Sequence, residues 1–143
     1  WGQNPIPGPM DDYEKNVKRH CGRIGAIEVF LSGPGLENYY RYKTNSKKTS
    51  KEIVTLFNEN NSHALEVMDM YFERIARSFS TFVNILDPDI IVCGGGMSEI
   101  DNIYDEIPKR IIPYIASNFF LTPIVKAKHG SSSGVRGAAH LWN

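Results

Sequence analysis

Apolar residues recur along this chain with more than one period, and the periods predict its elements. Ala64, Met68, Tyr71, Ile75, Phe79, Phe82 and Leu86 follow one another at steps of three or four. That spacing keeps them on one side of a single long helix, with Leu65, Phe72, Ala76 and Val83 widening the stripe. Glu66, Glu73, Arg74 and Arg77 are then assigned to the opposite, solvated side. So broad a stripe calls for a covering layer, most naturally a sheet. Asp87-Pro88-Asp89 ends the helix, because proline cannot continue the hydrogen-bond ladder. Ile90 to Cys93 follows without alternation, the pattern of a strand buried on both faces of a parallel sheet. Gly94-Gly95-Gly96 comes directly after it.

On either side of this unit the signals are shorter. Pro5, Pro7 and Pro9 make residues 1–25 read as loop, with a tight turn between Gly22 and Gly25. Ile27, Phe30 and Leu31 form a brief helical stripe, which Gly33-Pro34-Gly35 is expected to end before Leu36 to Tyr42 resumes it. Thr49 and Glu52 have the spacing of a capping box at the start of another helix. Residues 101–117 read as irregular helix limited by Pro108 and Pro113, and Pro123 to Lys128 as a second strand. Gly130 to Gly134 reads as a loop, before a closing helix with Val135, Ala138, Ala139 and Trp142 as its packing face. Helices, strand, glycine turn, helix, strand and small-residue turn in this order predict an α/β fold with parallel strands.

Composition narrows the function classes. The chain has 143 residues, enough for one domain with a substantial core. Sixteen Lys and Arg balance sixteen Asp and Glu, so there is no electrostatic excess of the kind that drives nucleic-acid binding. Two cysteines are too few for a disulfide framework and read as reduced thiols, which suggests a cytoplasmic protein. No apolar run reaches the roughly 18 residues of a membrane span. Trp1-Gly2-Gln3-Asn4-Pro5 has neither an initiator Met nor a leader pattern, and reads as the interior of a longer protein.

Three places are candidates for chemistry. Gly94, Gly95 and Gly96, and Gly130 with Ser131, follow predicted strands, where ligands collect in open α/β sheets. Bare backbone there suits a nucleotide phosphate, although each turn taken alone reads first as an ordinary strand-to-helix turn. Glu28 is predicted in the first turn of a helix among the apolar neighbours Ala26, Ile27 and Val29. A fixed carboxylate can accept hydrogen bonds from two sugar hydroxyls, or it is simply a glutamate at a helix start. His129 is the one histidine beside a candidate turn, and Lys126 and Lys128 read as solvent-facing strand positions.

These segments together resemble a known family. His20 to Glu28, followed by Ser32-Gly33, is similar to the Cys-x-Cys-Gly-x-x-Gly-Cys-x-Glu signature of ROK (repressor, open reading frame, kinase) sugar kinases. Asn84 to Met97, Lys126 to Ala139 and the Trp-Gly-Gln-Asn-Pro start also resemble family segments, closest to the fructokinase or manno(fructo)kinase branch. The resemblance implies the C-terminal part of an actin-like, ribonuclease H-like ATPase fold, with residues 1–25 as a zinc-type loop and residues 26–143 as the nucleotide- and sugar-binding region. It implies ATP-dependent phosphorylation of a hexose, with fructose to fructose 6-phosphate as the expected reaction, magnesium assisting, and a homodimer. Glu28 matches the sugar-binding glutamate, and Gln3 stands where the family has a sugar-contacting histidine. Gly94, Gly95 and Gly96 match the loop near the nucleotide. Gly130 and Ser131 match a second small-residue turn. The catalytic aspartate and the phosphate loop lie upstream in the family, so no catalytic residue is expected in this chain.

The departures matter as much. The family zinc uses one histidine and three cysteines, but here Gln3, Arg19 and Ala26 occupy three of those positions and only Cys21 is kept. An amide, a guanidinium and a methyl group cannot form a tetrahedral thiolate site, so no zinc is expected. The same loss supports an alternative, a non-catalytic sugar-binding, oligomerising or effector domain of a ROK regulator.

Overall fold

The computed structural model describes residues 1–142, apart from the side chains of Ser131, Ser133 and Trp142. Its elements are α1 (Asp12–Asn16), α2 (Ile27–Leu31), α3 (Gly33–Thr44), α4 (Ser50–Asn58), α5 (Ser62–Leu86), β1 (Ile91–Cys93), α6 (Asn102–Arg110), β2 (Ile124–Lys126) and α7 (Ser133–Ala139). Short 3-10 turns cover Gly96–Glu99, Ile112–Tyr114, Gly130–Ser132 and His140–Trp142.

The long stripe folds as one helix, as the spacing predicts, but two of its expected members, Leu65 (38% exposed) and Leu86 (69% exposed), lie at the surface. Asn61 caps the N-terminus of α5 by accepting from the Ala64 amide, and Asp87 ends it in the left-handed region at φ 42°. Ala64, Val67, Met68, Tyr71, Phe72, Ile75 and Ala76 are buried. The layer over the stripe is made mainly of helices, with α2, α3, α4 and α6 packed around α5, rather than the expected sheet. The Thr49–Glu52 capping box is present in full.

Four local expectations are corrected. First, residues 1–25 are not all loop, because Asp11 and Glu14 form a capping box around α1. Second, Gly33-Pro34-Gly35 opens α3 instead of ending α2. Ser32 caps α3 through the Gly35 amide, and proline is well placed in a first helical turn, where its missing N–H costs nothing. Third, Pro108 lies inside α6. Fourth, the packing face proposed for the closing helix is not realised, since Val135 is 76% exposed and Ala138 and Ala139 are exposed as well; the Trp142 side chain falls outside the described residues.

Gly35 is where α2 and α3 meet most closely. A Cβ added there would lie 2.3 Å from the Val29 carbonyl oxygen. Gly35→Ala is therefore expected to destabilise the fold by about 1–3 kcal/mol, the usual cost of overpacking. A urea unfolding midpoint unchanged from the parent protein would contradict this.

Strands β1 and β2 pair in parallel, with Ile91 opposite Ile124 and Cys93 opposite Lys126. Ile91 and Ile124 face the core, whereas Val92 is 59% exposed, so β1 is covered on one face only. Ile90, Leu86 and Leu121 are exposed too. Buried strands of a parallel sheet are normally covered on both sides.

Arg74 and Arg77, expected at the surface, are buried in a charge cluster with Glu14, which is 0% exposed. Arg74 Nε donates to Glu14 Oε1 at 2.8 Å, and Arg77 Nη1 and Nη2 donate to the two Glu14 oxygens at 3.1 Å. Arg74 also donates to Asp11, and Arg77 to the Pro7 carbonyl oxygen. The Arg74 guanidinium lies 4.1 Å from the Tyr39 ring centroid. The cluster fastens the proline-rich N-terminal segment to α5.

Candidate functional site

Glu28 is held by the first residues of the chain. Its amide donates to the Gly2 carbonyl at 2.8 Å, the Ile27 amide to Asn4 at 2.9 Å, and the Ile6 amide to Gly25 at 2.7 Å. Residues 2–6 thus run antiparallel to residues 25–28. Gly2 sits directly against Glu28, where a Cβ would come within 3.2 Å of the glutamate Cβ. Gly25, at φ 74°, makes the turn into this segment. The Glu28 side chain is 40% exposed, so it has a buried flank and an open one. Gln3, on the adjoining strand-like segment, is exposed.

Arg19 is the partner that sequence reasoning missed. Its Nε donates to Glu28 Oε1, and its Nη1 lies 3.5 Å from Cys21 Sγ. Arg19 comes from a small hairpin in which its amide donates to Arg23, the Gly22 amide returns to Arg19, and Lys18 pairs with Ile24. Among the described residues, no three His, Cys, Asp or Glu side chains converge on a point that could hold a metal ion. The donor set at the zinc-type loop does not fit zinc. A permanent cation reaches the remaining cysteine, and the Ala26 methyl is 1% exposed in the core.

The two cysteines differ in environment. The Arg23 backbone amide and the Arg19 guanidinium lower the pKa of the exposed Cys21 thiol, whereas burial raises that of Cys93. Iodoacetamide at neutral pH is expected to label Cys21 several times faster than Cys93, because thiolate is the reacting form. Peptide mapping that found Cys93 modified first would contradict this.

The two small-residue turns, far apart in sequence, meet in space. Both lie beyond the carboxyl ends of the parallel strands, and the Gly130–Ser132 turn packs on the Gly96–Glu99 turn. A Cβ on Gly130 would sit 3.1 Å from Glu99 Oε1. Gly95 has φ 91°, a conformation that favours glycine, and a Cβ on Gly95 or Gly96 would meet nothing within 4 Å. The buried Ser98 stiffens this loop. Its hydroxyl donates to the Gly95 carbonyl at 2.7 Å, and the Tyr104 hydroxyl donates to the Ser98 carbonyl at 2.7 Å. Lys126 is engaged rather than free in solvent, 2.7 Å from Glu99 and 3.6 Å from Asp101. His129 is exposed beside the second turn. The Ser131 side chain lies outside the described residues.

A cavity of about 320 Å³ opens between these features. Gly94, Met97 and Ser98 line one side, and Trp1 and Leu31 the other. Glu28 is outside the lining, but it stands one helical turn before Leu31, and its amide bonds Gly2, next to Trp1. Gly33 touches the same region, since a Cβ there would be 3.5 Å from Met97 Sδ. The end of α2 and the first glycine turn therefore face one hollow.

Known proteins are similar to this chain in sequence and in fold. The family model described as ROK family matches residues 3–143. The chain belongs to the ROK family. N-acetyl-D-glucosamine kinase of Vibrio atlanticus is 43% identical to this ROK chain over 121 residues, 85% of the chain and 40% of that protein. The enzyme of the same name from Haemophilus influenzae is 38% identical over 122 residues, again 85% of the chain and 40% of that protein. The ROK hexokinase structure from Thermus thermophilus superposes with a TM-score of 0.78 at 20% identity, covering 96% of this chain and 45% of that one. A ROK glucokinase from Streptomyces griseus, solved with glucose and AMPPNP, gives 0.75 at 20% identity, covering 85% and 45%. The α/β, actin-like (ribonuclease H-like) ATPase fold implied by the resemblance is the fold of this ROK chain, present in part. The chain spans about 40% of the length of these curated relatives.

Proposed function

We propose that this chain is the C-terminal part of an ATP-dependent hexose kinase. Its 43% identity with an N-acetyl-D-glucosamine kinase over 121 residues carries this reading. In it, Glu28 accepts hydrogen bonds from sugar hydroxyls and Gln3 donates one. ATP lies along Gly94, Gly95, Gly96, Gly130 and Ser131, where bare backbone lets phosphate and base approach. A carboxylate from preceding residues removes the hydroxyl proton, and the sugar oxygen attacks the γ-phosphorus as the bond to the β,γ-bridging oxygen breaks and ADP leaves. Magnesium, when bound with ATP, would neutralise charge on the transferring phosphoryl group; among the described residues no three His, Cys, Asp or Glu side chains converge on a common point. The exposed apolar residues Val92, Ile90 and Leu121 support the presence of further chain against β1.

Fructose is the sugar that the branch resemblance implies. The curated relatives are named for N-acetyl-D-glucosamine, and we place that sugar first and fructose second. The further expectations are a homodimer, a cytoplasmic location and no nucleic-acid partner for this segment, the last supported by the balanced charge. Among the described residues, no helix is long and apolar enough to cross a membrane. An ADP-release assay on the full-length protein, with N-acetyl-D-glucosamine, glucose, mannose and fructose, is expected to show the highest kcat/KM for N-acetyl-D-glucosamine. A higher value for fructose would reverse that order. The second reading, an effector domain of a regulator, draws support from the loss of metal-ligand types at Gln3, Arg19 and Ala26. It predicts sugar binding with no ADP formed.

A further inference from the structure

We infer that Arg19, held in the hairpin that precedes α2, is the positioning residue that aims Glu28 at the sugar. The inference rests on the reading of Glu28 as the sugar-binding carboxylate. It goes further by assigning a role to a residue whose type is foreign to the signature.

Residues 18 to 28 show how the loop is held. A loop organised by a metal needs several deprotonated ligands converging on one point. Here Arg19 and Ala26 supply neither thiolate nor imidazole, and Gln3 supplies only an amide. The loop is nevertheless ordered by other bonds. Arg19 is fixed at its backbone by the Arg23 and Gly22 hydrogen bonds, at 2.8 and 2.9 Å. Gly22 makes the turn at φ 85°. From this anchored hairpin the guanidinium spans to α2. It meets Glu28 through Nε and approaches Cys21 through Nη1, touching two signature positions at once. Its side chain is only 17% exposed, so the pair is partly withdrawn from water on the Arg19 flank. Guanidinium suits this task because it carries five donors in a rigid plane and stays charged at every pH the protein meets.

The pairing also divides the carboxylate. Arg19 engages Oε1, whereas Oε2 lies on the side of Gly2, at 3.6 Å from the position a Cβ would take there. With one oxygen restrained, the free lone pairs of the carboxylate have a fixed direction. Hydroxyls of the sugar then meet an acceptor that is already oriented, and less freedom is lost on binding.

The test uses the full-length protein, with N-acetyl-D-glucosamine titrated calorimetrically in buffer containing EDTA. Arg19→Ala is expected to raise Kd at least tenfold, and Arg19→Lys to recover part of the loss. On a Glu28→Ala background, Arg19→Ala is expected to change Kd less than twofold, because Arg19 acts through that carboxylate. A residue needed only for general folding would weaken both backgrounds alike, and circular dichroism melts of each variant identify that case. EDTA is expected to leave the parent Kd unchanged, and elemental analysis to find less than one-tenth zinc per chain. Three results would overturn the inference: Arg19→Ala leaving Kd unchanged or lowering it while Glu28→Ala raises it, equal penalties on both backgrounds, or one zinc per chain with EDTA-sensitive binding. If Glu28→Ala is itself silent, the reading of Glu28 as the sugar carboxylate fails, and this inference falls with it.

Discussion

Replacing Glu28 by alanine in the full-length protein is expected to raise the Michaelis constant for the proposed hexose substrate by at least tenfold, and by about a hundredfold where two hydroxyls lose their acceptor. The size follows from the cost of removing a hydrogen bond to a charged group, about 1.5–3 kcal/mol, with 1.4 kcal/mol equal to a factor of ten. The Glu28 amide donates to the Gly2 carbonyl and Arg19 holds one carboxylate oxygen, so both its backbone and its side chain are restrained. Glu28→Gln keeps one acceptor oxygen and is expected to lose less. Initial rates measured against sugar concentration at saturating ATP give the answer. The KM for ATP is expected to stay within about twofold, since Glu28 lies outside the lining shared with Gly94. An unchanged sugar KM would remove Glu28 from the site.

The second large effect concerns stability. Glu14→Ala is expected to cost about 3–5 kcal/mol, because it leaves Arg74 and Arg77 buried without their shared partner. Arg74 is 1% exposed and Arg77 6%, so water cannot readily replace the lost carboxylate. Against a typical total of about 5–15 kcal/mol, that is a large share. For a chain of 143 residues the melting temperature should fall by on the order of 10 °C. Lys15→Ala is the control. Its pair with Asp12 is exposed, and such pairs contribute about 0–1 kcal/mol. Equal melting temperatures for the two variants would show that the buried cluster contributes no more than a surface pair.

How far the sequence leads can be seen in these same residues. The step of three and four from Ala64 to Phe79 reflects α5 closely, because a helix buried along one stripe must repeat at that spacing, and the burial gives out by Leu86 at the helix end. The strand followed by glycines is also legible, since a β-branched run before Gly94-Gly95-Gly96 restricts the backbone strongly. Arg74 and Arg77 are not legible in that way. Their burial depends on Glu14, sixty and more residues earlier, and a charge beside an apolar stripe looks the same whether it meets water or a distant partner. Asp11 and Glu14 carry the spacing of a capping box, a signal that is present but masked by the surrounding prolines. Gly33-Pro34-Gly35 reads as a stop or a start depending on whether the Ser32 hydroxyl caps the residues after it. For the candidate site, Glu28 and the glycine turns stand out as residue types. The Arg19–Glu28 pair does not, because it depends on a hairpin folding back across nine residues. Val92 reads as buried because its strand lacks alternation, yet that face of β1 is open.

The most direct test of the account is a residue-resolved NMR titration of the isotope-labelled full-length protein with N-acetyl-D-glucosamine and then with a non-hydrolysable ATP analogue. Sugar is expected to shift the amides of Gly2, Gln3, Arg19 and Glu28, and nucleotide those of Gly94, Gly95, Gly96 and Gly130. Ligand shifts confined to other parts of the molecule, with these amides unmoved, would contradict it.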